Sequence, residues 1–203
     1  MSSASRLSII VFAALLAGCA TIVHPGGAAD QAAWQARRQR LAGVDNWHIQ
    51  GRIGVTTPHR GGSASLDWRE KGDTMTLLLS GPFGLGAVRL QGTAQVMQVR
   101  NSKGRSWTTY SPEHALESTL GWPLPIASLR YWVLGLPAPG VDFKVDIGAR
   151  GLPSRLAQQG WSVRYNAFKR SAGLFLPLNL MVTRGSTRIK LIVSDWSLGG
   201  AGK

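Results

Sequence analysis

Cysteine is almost missing from this chain: Cys19 stands alone among 203 residues. A single thiol excludes an internal disulfide framework and any cysteine-rich metal site. Acidic side chains are scarce as well, 10 Asp and Glu against 23 Lys and Arg, for a formal net charge of +13. Charged residues of both signs make up only 16% and hydrophobic ones 44%, too apolar for a disordered basic tail. Long apolar runs are also lacking. The longest, Leu7 to Ala20, is interrupted by Ser8 and Gly18 and is too short to cross about 30 Å of hydrocarbon comfortably, so a multi-span membrane protein is excluded. The length fits one domain, or two small ones.

Catalytic patterns are equally thin. His24, His48, His59 and His114 show no paired or HExxH-type metal spacing. Asp45, Asp67, Glu70, Asp73, Glu113, Glu117, Asp142, Asp146 and Asp195 are scattered singly, and nothing marks out the facing pair that a glycosidase needs. There is no Gly-x-Ser-x-Gly elbow and no Walker loop. Gly81-Pro82-Phe83-Gly84-Leu85-Gly86 is glycine-rich but carries no lysine, so it is no phosphate cradle. No enzyme activity, metal or cofactor is expected.

The first residues read as an address. Arg6 supplies a positive flank, and Leu7 to Leu15 a short apolar segment, followed at once by Leu16-Ala17-Gly18-Cys19. That order describes a secretory signal that is removed before folding. The four residues ending in Cys19 resemble the lipobox of bacterial lipoproteins, in which the cysteine is acylated and becomes the first residue after cleavage. Triple acylation at Cys19 would anchor firmly, since burial is worth about 0.8 kcal/mol per CH₂ and two chains already suffice. Ala20, not Asp, follows Cys19. By the same resemblance this points to the outer membrane. Residues 1–18 are therefore assigned to the leader, 19–29 to a lipid-anchored flexible tether containing Pro25-Gly26-Gly27, and 30–203 to the folded domain.

Asp30 is placed at the cap of a helix running to about Leu41 and ended by Gly43. From Trp47 the pattern has period two. Ile49, Gly51, Ile53 and Val55 share one face. Ala64, Leu66 and Trp68 repeat it, followed by Met75, Leu77 and Leu79, then Val88 and Leu90, then Met97 and Val99. Short strands at this spacing describe an antiparallel meander. Ser111-Pro112-Glu113 opens a helix that Gly121-Trp122-Pro123 breaks, and a second follows from Pro125 to Leu134 with Ile126, Leu129 and Val133 on one stripe. Strands resume near Phe143–Ile147, Trp161–Tyr165, Leu178–Thr183 and Arg188–Val193. Trp47, Trp68, Trp161 and Trp196 fall at core positions; Trp107, Trp122 and Trp132 suit core, cavity wall or interface. The expected fold is mainly β with some α, a single antiparallel meander that either closes into a barrel or stays an open curved sheet covered by a few helices. Pattern alone is compatible with a filled core and with an apolar cavity. Phe83 and Leu85 sit among turn-formers in a connection that should be polar. Their side chains suit a membrane-wedging tip or a loop folded back on the core.

Several segments together resemble the family of outer-membrane lipoprotein receptors LolB: Trp47-x-x-x-Gly51-Arg52-Ile53-Gly54-Val55, Leu66-x-Trp68, Leu77-Leu78-Leu79-x-Gly81-Pro82-Phe83-Gly84, Gly121-Trp122-x-x-Pro125, Leu129-x-x-Trp132-Val133-Leu134-Gly135-Leu136-Pro137 and Gln159-Gly160-Trp161-x-Val163-x-Tyr165. The resemblance implies an unclosed barrel around a hydrophobic cavity, a monomer, and a transfer activity. Such a protein takes triacylated lipoprotein cargo from the periplasmic carrier LolA and places it in the inner leaflet of the outer membrane, among its phospholipids. The family's loop carries an exposed leucine important for membrane insertion of the cargo, and Phe83 stands at that position, with Leu85 beside it. Expected cavity-wall residues are Met75, Leu77, Leu79, Leu90, Met97, Ile126, Leu129, Trp132 and Val133. The basic residues Arg52, Arg89, Arg100 and Lys103 suit an acidic carrier or anionic lipid, and equally an ordinary solvated face. A structural outer-membrane lipoprotein that scaffolds an envelope complex without transferring lipid is the alternative reading.

Overall fold

The computed structural model describes residues 27–82 and 86–199. The leader, Cys19, most of the expected tether, Phe83 and Leu85 lie outside the described residues. A helix, α1 (Ala28–Ala42), opens the described chain. It starts at Gly27 rather than Asp30, because the Asp30 carboxylate is engaged elsewhere: its Oδ1 accepts the backbone N–H of Arg150 at 3.0 Å. The face of α1 that packs inward carries Trp34, Arg37 and Leu41.

Six strands follow as a meander: β1 (Asn46–Thr56), β2 (Gly61–Lys71), β3 (Thr74–Ser80), β4 (Val88–Gly92), β5 (Met97–Asn101) and β6 (Ser106–Thr109). Helices α2 (Pro112–Leu120) and α3 (Ile126–Trp132) come next. A second meander completes the chain: β7 (Phe143–Ile147), β8 (Pro153–Gln158), β9 (Trp161–Ser171), β10 (Leu174–Arg184) and β11 (Thr187–Leu198). All neighbours are antiparallel, and the two meanders join through β1 and β11 into one sheet of order β6-β5-β4-β3-β2-β1-β11-β10-β9-β8-β7. The edges β6 and β7 are not paired with each other, so the sheet is unclosed, as the resemblance implies. The inward rows also match: Ile49, Ile53 and Val55, then Leu66 and Trp68, then Met75, Leu77 and Leu79 are all buried.

The strands β6 and β8 have no counterpart in the sequence reading. The four residues of β6 offer a single apolar side chain, half-buried Trp107. Strand β8 opens on a proline after a 3₁₀ turn, Ala149–Gly151, in which Arg150 as well as Gly151 takes a positive φ, 64° and 66°. Neither gives the period-two signal on which strands are read.

A bulge breaks the β1–β11 register between Gln50 and Gly51, where the partner sequence skips from Asp195 to Val193. A Cβ on Gly51 would stand 2.1 Å from the carbonyl oxygen of Ile192. Gly51→Ala is therefore expected to cost about 3 kcal/mol. Urea denaturation checks this, and a loss below about 0.5 kcal/mol, the range of neutral surface changes, would show that the bulge relaxes freely.

Antiparallel pairing gathers the turns onto two rims. One rim carries residues 57–60, 81–82, 86–87, 102–105, 159–160 and 185–186. The other carries 72–73, 93–96, 148–152 and 172–173, with α1 lying against the 3₁₀ turn.

Candidate functional site: the concave face and its helical cover

The inner side chains of both meanders face the segment 112–138, and the two form one hydrophobic core. Met75, Leu77, Leu79, Leu90 and Met97 reach it from the sheet, and Ile126, Leu129, Trp132 and Val133 from the cover; all nine are buried. Of these nine, Met75, Met97 and Ile126 border a small cleft of about 30 Å³, together with Ala94, Pro112, Ala127 and the charged Glu113 and Arg130. The remaining six pack into the core interior. Helices α2 and α3 lie over the face of the sheet that the resemblance assigns to the hollow.

Polar groups clamp the cover from three sides. On the β2 side, Arg130 of α3 donates to Glu70 Oε2 at 2.7 Å, while Trp68 Nε1 donates to Glu70 Oε1 at 2.9 Å. Burial pushes the Glu70 carboxyl up to about 7, against the opposing pull of Arg130 and of the Trp68 bond. On the β8 side, Gln158 Oε1 accepts from Trp132 Nε1 at 3.0 Å and from the Ala138 N–H at 2.8 Å, and its Nε2 donates to the Ala138 and Val141 carbonyls. Ser128 Oγ donates to Gln159 Oε1 at 2.6 Å, and the Tyr165 hydroxyl to the Trp132 carbonyl at 3.1 Å. Burial pushes the Tyr165 phenol well above its ordinary value, with the nearby Arg37 opposing. From α1, the buried Arg37 guanidinium donates to the Leu134 carbonyl at 2.9 Å and to the Phe175 carbonyl. Burial lowers Arg37 to about 10, Tyr165 partly countering it, so the side chain stays charged at neutral pH.

Sequence reasoning missed these clamps, although one left a signal. Glu70 continues the row Leu66, Trp68 at period two, so an inward-facing carboxylate was written in the alternation. Gln158 and Arg37 gave none, the first because β8 is unpatterned and the second because it lies among other arginines in α1. Of the eight tryptophans, Trp47, Trp68, Trp161 and Trp196 are buried as expected, and so are Trp122 and Trp132; Trp107 is half-buried at the sheet edge. Arg52, Arg89 and Arg100 are exposed on the outer face of the sheet, where Arg89 stands directly opposite Arg100.

The chain was compared with known proteins. The family model described as Outer membrane lipoprotein LolB matches residues 45–196. An outer-membrane lipoprotein LolB of Chromohalobacter salexigens is 38% identical over 190 residues, covering 93% of this chain and 88% of the relative. That of Stutzerimonas stutzeri is 36% identical over 199 residues, 97% of each. Among solved structures, a LolA superfamily protein from Nitrosomonas europaea superposes with a TM-score of 0.51 over 86% of this chain and 95% of its own, at 10% identity. At that identity the likeness speaks for the fold alone.

Proposed function

Since this chain belongs to the LolB family of outer-membrane lipoproteins, which is a family of lipoprotein-localisation carriers and not a known enzyme family, we propose that it accepts mature lipoproteins from the carrier LolA and inserts them into the inner leaflet of the outer membrane. In this reading Cys19 is acylated and anchors the chain as a monomer at the periplasmic face. The observation that carries it is the apolar concave face under a helical cover that polar bonds, and not covalent ones, hold down.

Acyl chains do not cross water unprotected, because each exposed CH₂ costs about 0.8 kcal/mol. A cleft of about 30 Å³ at Met75, Met97 and Ile126 is too small for such a chain. Cargo therefore enters by displacing α2 and α3, which exchanges helix-to-sheet contacts for acyl-to-sheet contacts of the same apolar kind. The cleft is the natural point of entry, since it already separates α3 from β3 and β5. No nucleotide is required if each acceptor holds the chains more favourably than the last. Phe83 and Leu85 then serve as the apolar tip that enters the bilayer on release.

The filled core is the observation that favours the second reading, a scaffolding lipoprotein that never opens. One experiment separates them. Mature protein with Cys19→Ala, hence soluble, is mixed with LolA already carrying a triacylated lipoprotein, and the two are separated to find the cargo. Net movement to this protein is the expected result; cargo left wholly on a competent carrier would put scaffolding first. Phe83→Glu is expected to leave uptake unchanged and to abolish delivery to liposomes, and equal loss of both steps would remove Phe83 from the insertion role.

A further inference from the structure

Cations stand on both rims of this protein, but the turns of one rim are free of acids. Five cations stand in or beside the turns of the rim that holds the β3–β4 connection: Arg60, Lys103, Arg105, Arg184 and Arg188, all exposed. None forms an ion pair within the described residues. Residues 57–60, 81–87, 102–105, 159–160 and 185–186, which make the turns, contain no Asp or Glu. The acids near this rim are Asp142, before the edge strand β7, and Glu113 and Glu117 of α2, which border one cleft with Arg184 and Trp161 without pairing to Arg184. On the opposite rim or next to it lie Asp45, Asp73, Asp146 and Asp195.

Two of the five cations rest on aromatic rings. The Arg184 guanidinium lies 4.3 Å from the centre of the Trp161 ring, and that of Arg105 5.9 Å from Trp107. Beside the second pair, Asn101, Ser102 and Lys103 line an open cleft of about 650 Å³ that runs to the C-terminal turn of α2. Unpaired cations with amphipathic aromatic rings at one level are what a bilayer surface selects, because phosphates attract the first and the headgroup zone accommodates the second. A nucleic-acid groove would instead call for a cationic track across a face, whereas these residues lie on turn tips.

We propose that this rim is a docking surface for anionic phospholipid, in which Arg60, Lys103, Arg105, Arg184 and Arg188 meet lipid phosphates at the level of Trp107. The inference deepens the delivery reading, since the same rim holds the connection that contains Phe83, yet the cations act without cargo. The convex-face pair Arg89 and Arg100 is not part of it.

The test uses mature Cys19→Ala protein and sedimentation with vesicles of phosphatidylcholine alone or mixed with phosphatidylglycerol. Wild type is expected to bind the mixed vesicles, to bind phosphatidylcholine weakly, and to lose affinity as salt rises. Joint Lys103→Gln, Arg105→Gln and Arg184→Gln should lower affinity for the mixed vesicles by about fivefold per cation, roughly a hundredfold in all. Neutralising Lys71, Lys169 and Arg170 near the other rim removes the same net charge and should change it little. Equal losses in the two triple variants would reduce the effect to net charge and overturn the proposal, as would undiminished binding by the rim variant. Cargo uptake from loaded LolA in the absence of vesicles should be unchanged in the rim variant. If wild type took no cargo while vesicle binding still followed the rim, the delivery reading would fall and the docking surface would stand.

Discussion

Replacing Glu70 by leucine should cost about 3–5 kcal/mol, the largest loss expected from any single polar change in this protein. The carboxylate is 3% exposed and serves two donors at once, Arg130 and the Trp68 indole. Leucine would leave the Trp68 indole unpartnered in a dry environment and leave the half-buried Arg130 only its long bond to the Gly72 carbonyl at 3.4 Å. In a domain of this size the loss corresponds to a fall of roughly 10 °C in Tm. Glu70→Gln behaves differently, because it keeps an acceptor and removes the buried charge. In the wild type the carboxyl rises from 4.5 in the unfolded chain to about 7 in the folded one. The folded state therefore holds its proton more tightly. Stability from this group is fully present below pH 4.5 and is lost as pH rises through about 7, by about 3 kcal/mol overall. Denaturation at pH 5 and pH 8 should show that slope in wild type and its disappearance in Glu70→Gln. A slope of the same size in the glutamine variant would assign the pH dependence to other groups.

Trp132→Ala is the second large effect, about 3–5 kcal/mol of stability. The ring is fully buried, its Nε1 is one of the two donors to Gln158 Oε1, and it lies 6.4 Å from the Trp161 ring. Truncation leaves a void between cover and sheet that the surrounding strands cannot close, since interiors relax only in part. A dry void of that kind takes up apolar guests. The variant is thus expected to bind an apolar fluorophore more strongly than wild type while being less stable, which fluorescence titration and thermal denaturation together would register. If affinity for the fluorophore falls with stability, the cover and the sheet do not enclose an acyl-binding space at this point.

Strand periodicity carried most of the architecture. Alternation over Trp47–Val55, Ala64–Trp68 and Met75–Leu79 places a buried row in each of the first three strands, and those rows are the ones found inside. The helix stripe of Ile126, Leu129 and Val133 was readable for the same reason, an apolar face repeated at the period of its element. What the sequence could not convey is how far the helices fill the concavity, because a packed interior and a lined cavity draw on the same residue types. The clamps were hidden for a related reason: Gln158 and Arg37 earn their places through partners 20 and 97 positions away in the chain. The rim of cations was hidden by topology, since Arg60, Lys103 and Arg184 come onto one rim only once the strands have taken their register.

The position of α1 sets how the domain can sit on its membrane. The helix begins at Gly27 against the 3₁₀ turn, on the rim away from the β3–β4 connection. From Cys19 to Gly27 the chain measures at most about 29 Å pulled straight, and an 11-residue strand such as β1 is about 28–36 Å tall, depending on its tilt. With acyl chains on Cys19, an upright domain resting on its basic rim would stretch this leash to its limit, with no slack to spare. A tipped posture, the curved sheet lying along the bilayer, lets anchor and rim touch the same leaflet at once. Under the proposed anchoring at Cys19, so short a leash would act as a stop on rotation, holding the molecule close to the surface and limiting how far it could swing out toward a carrier.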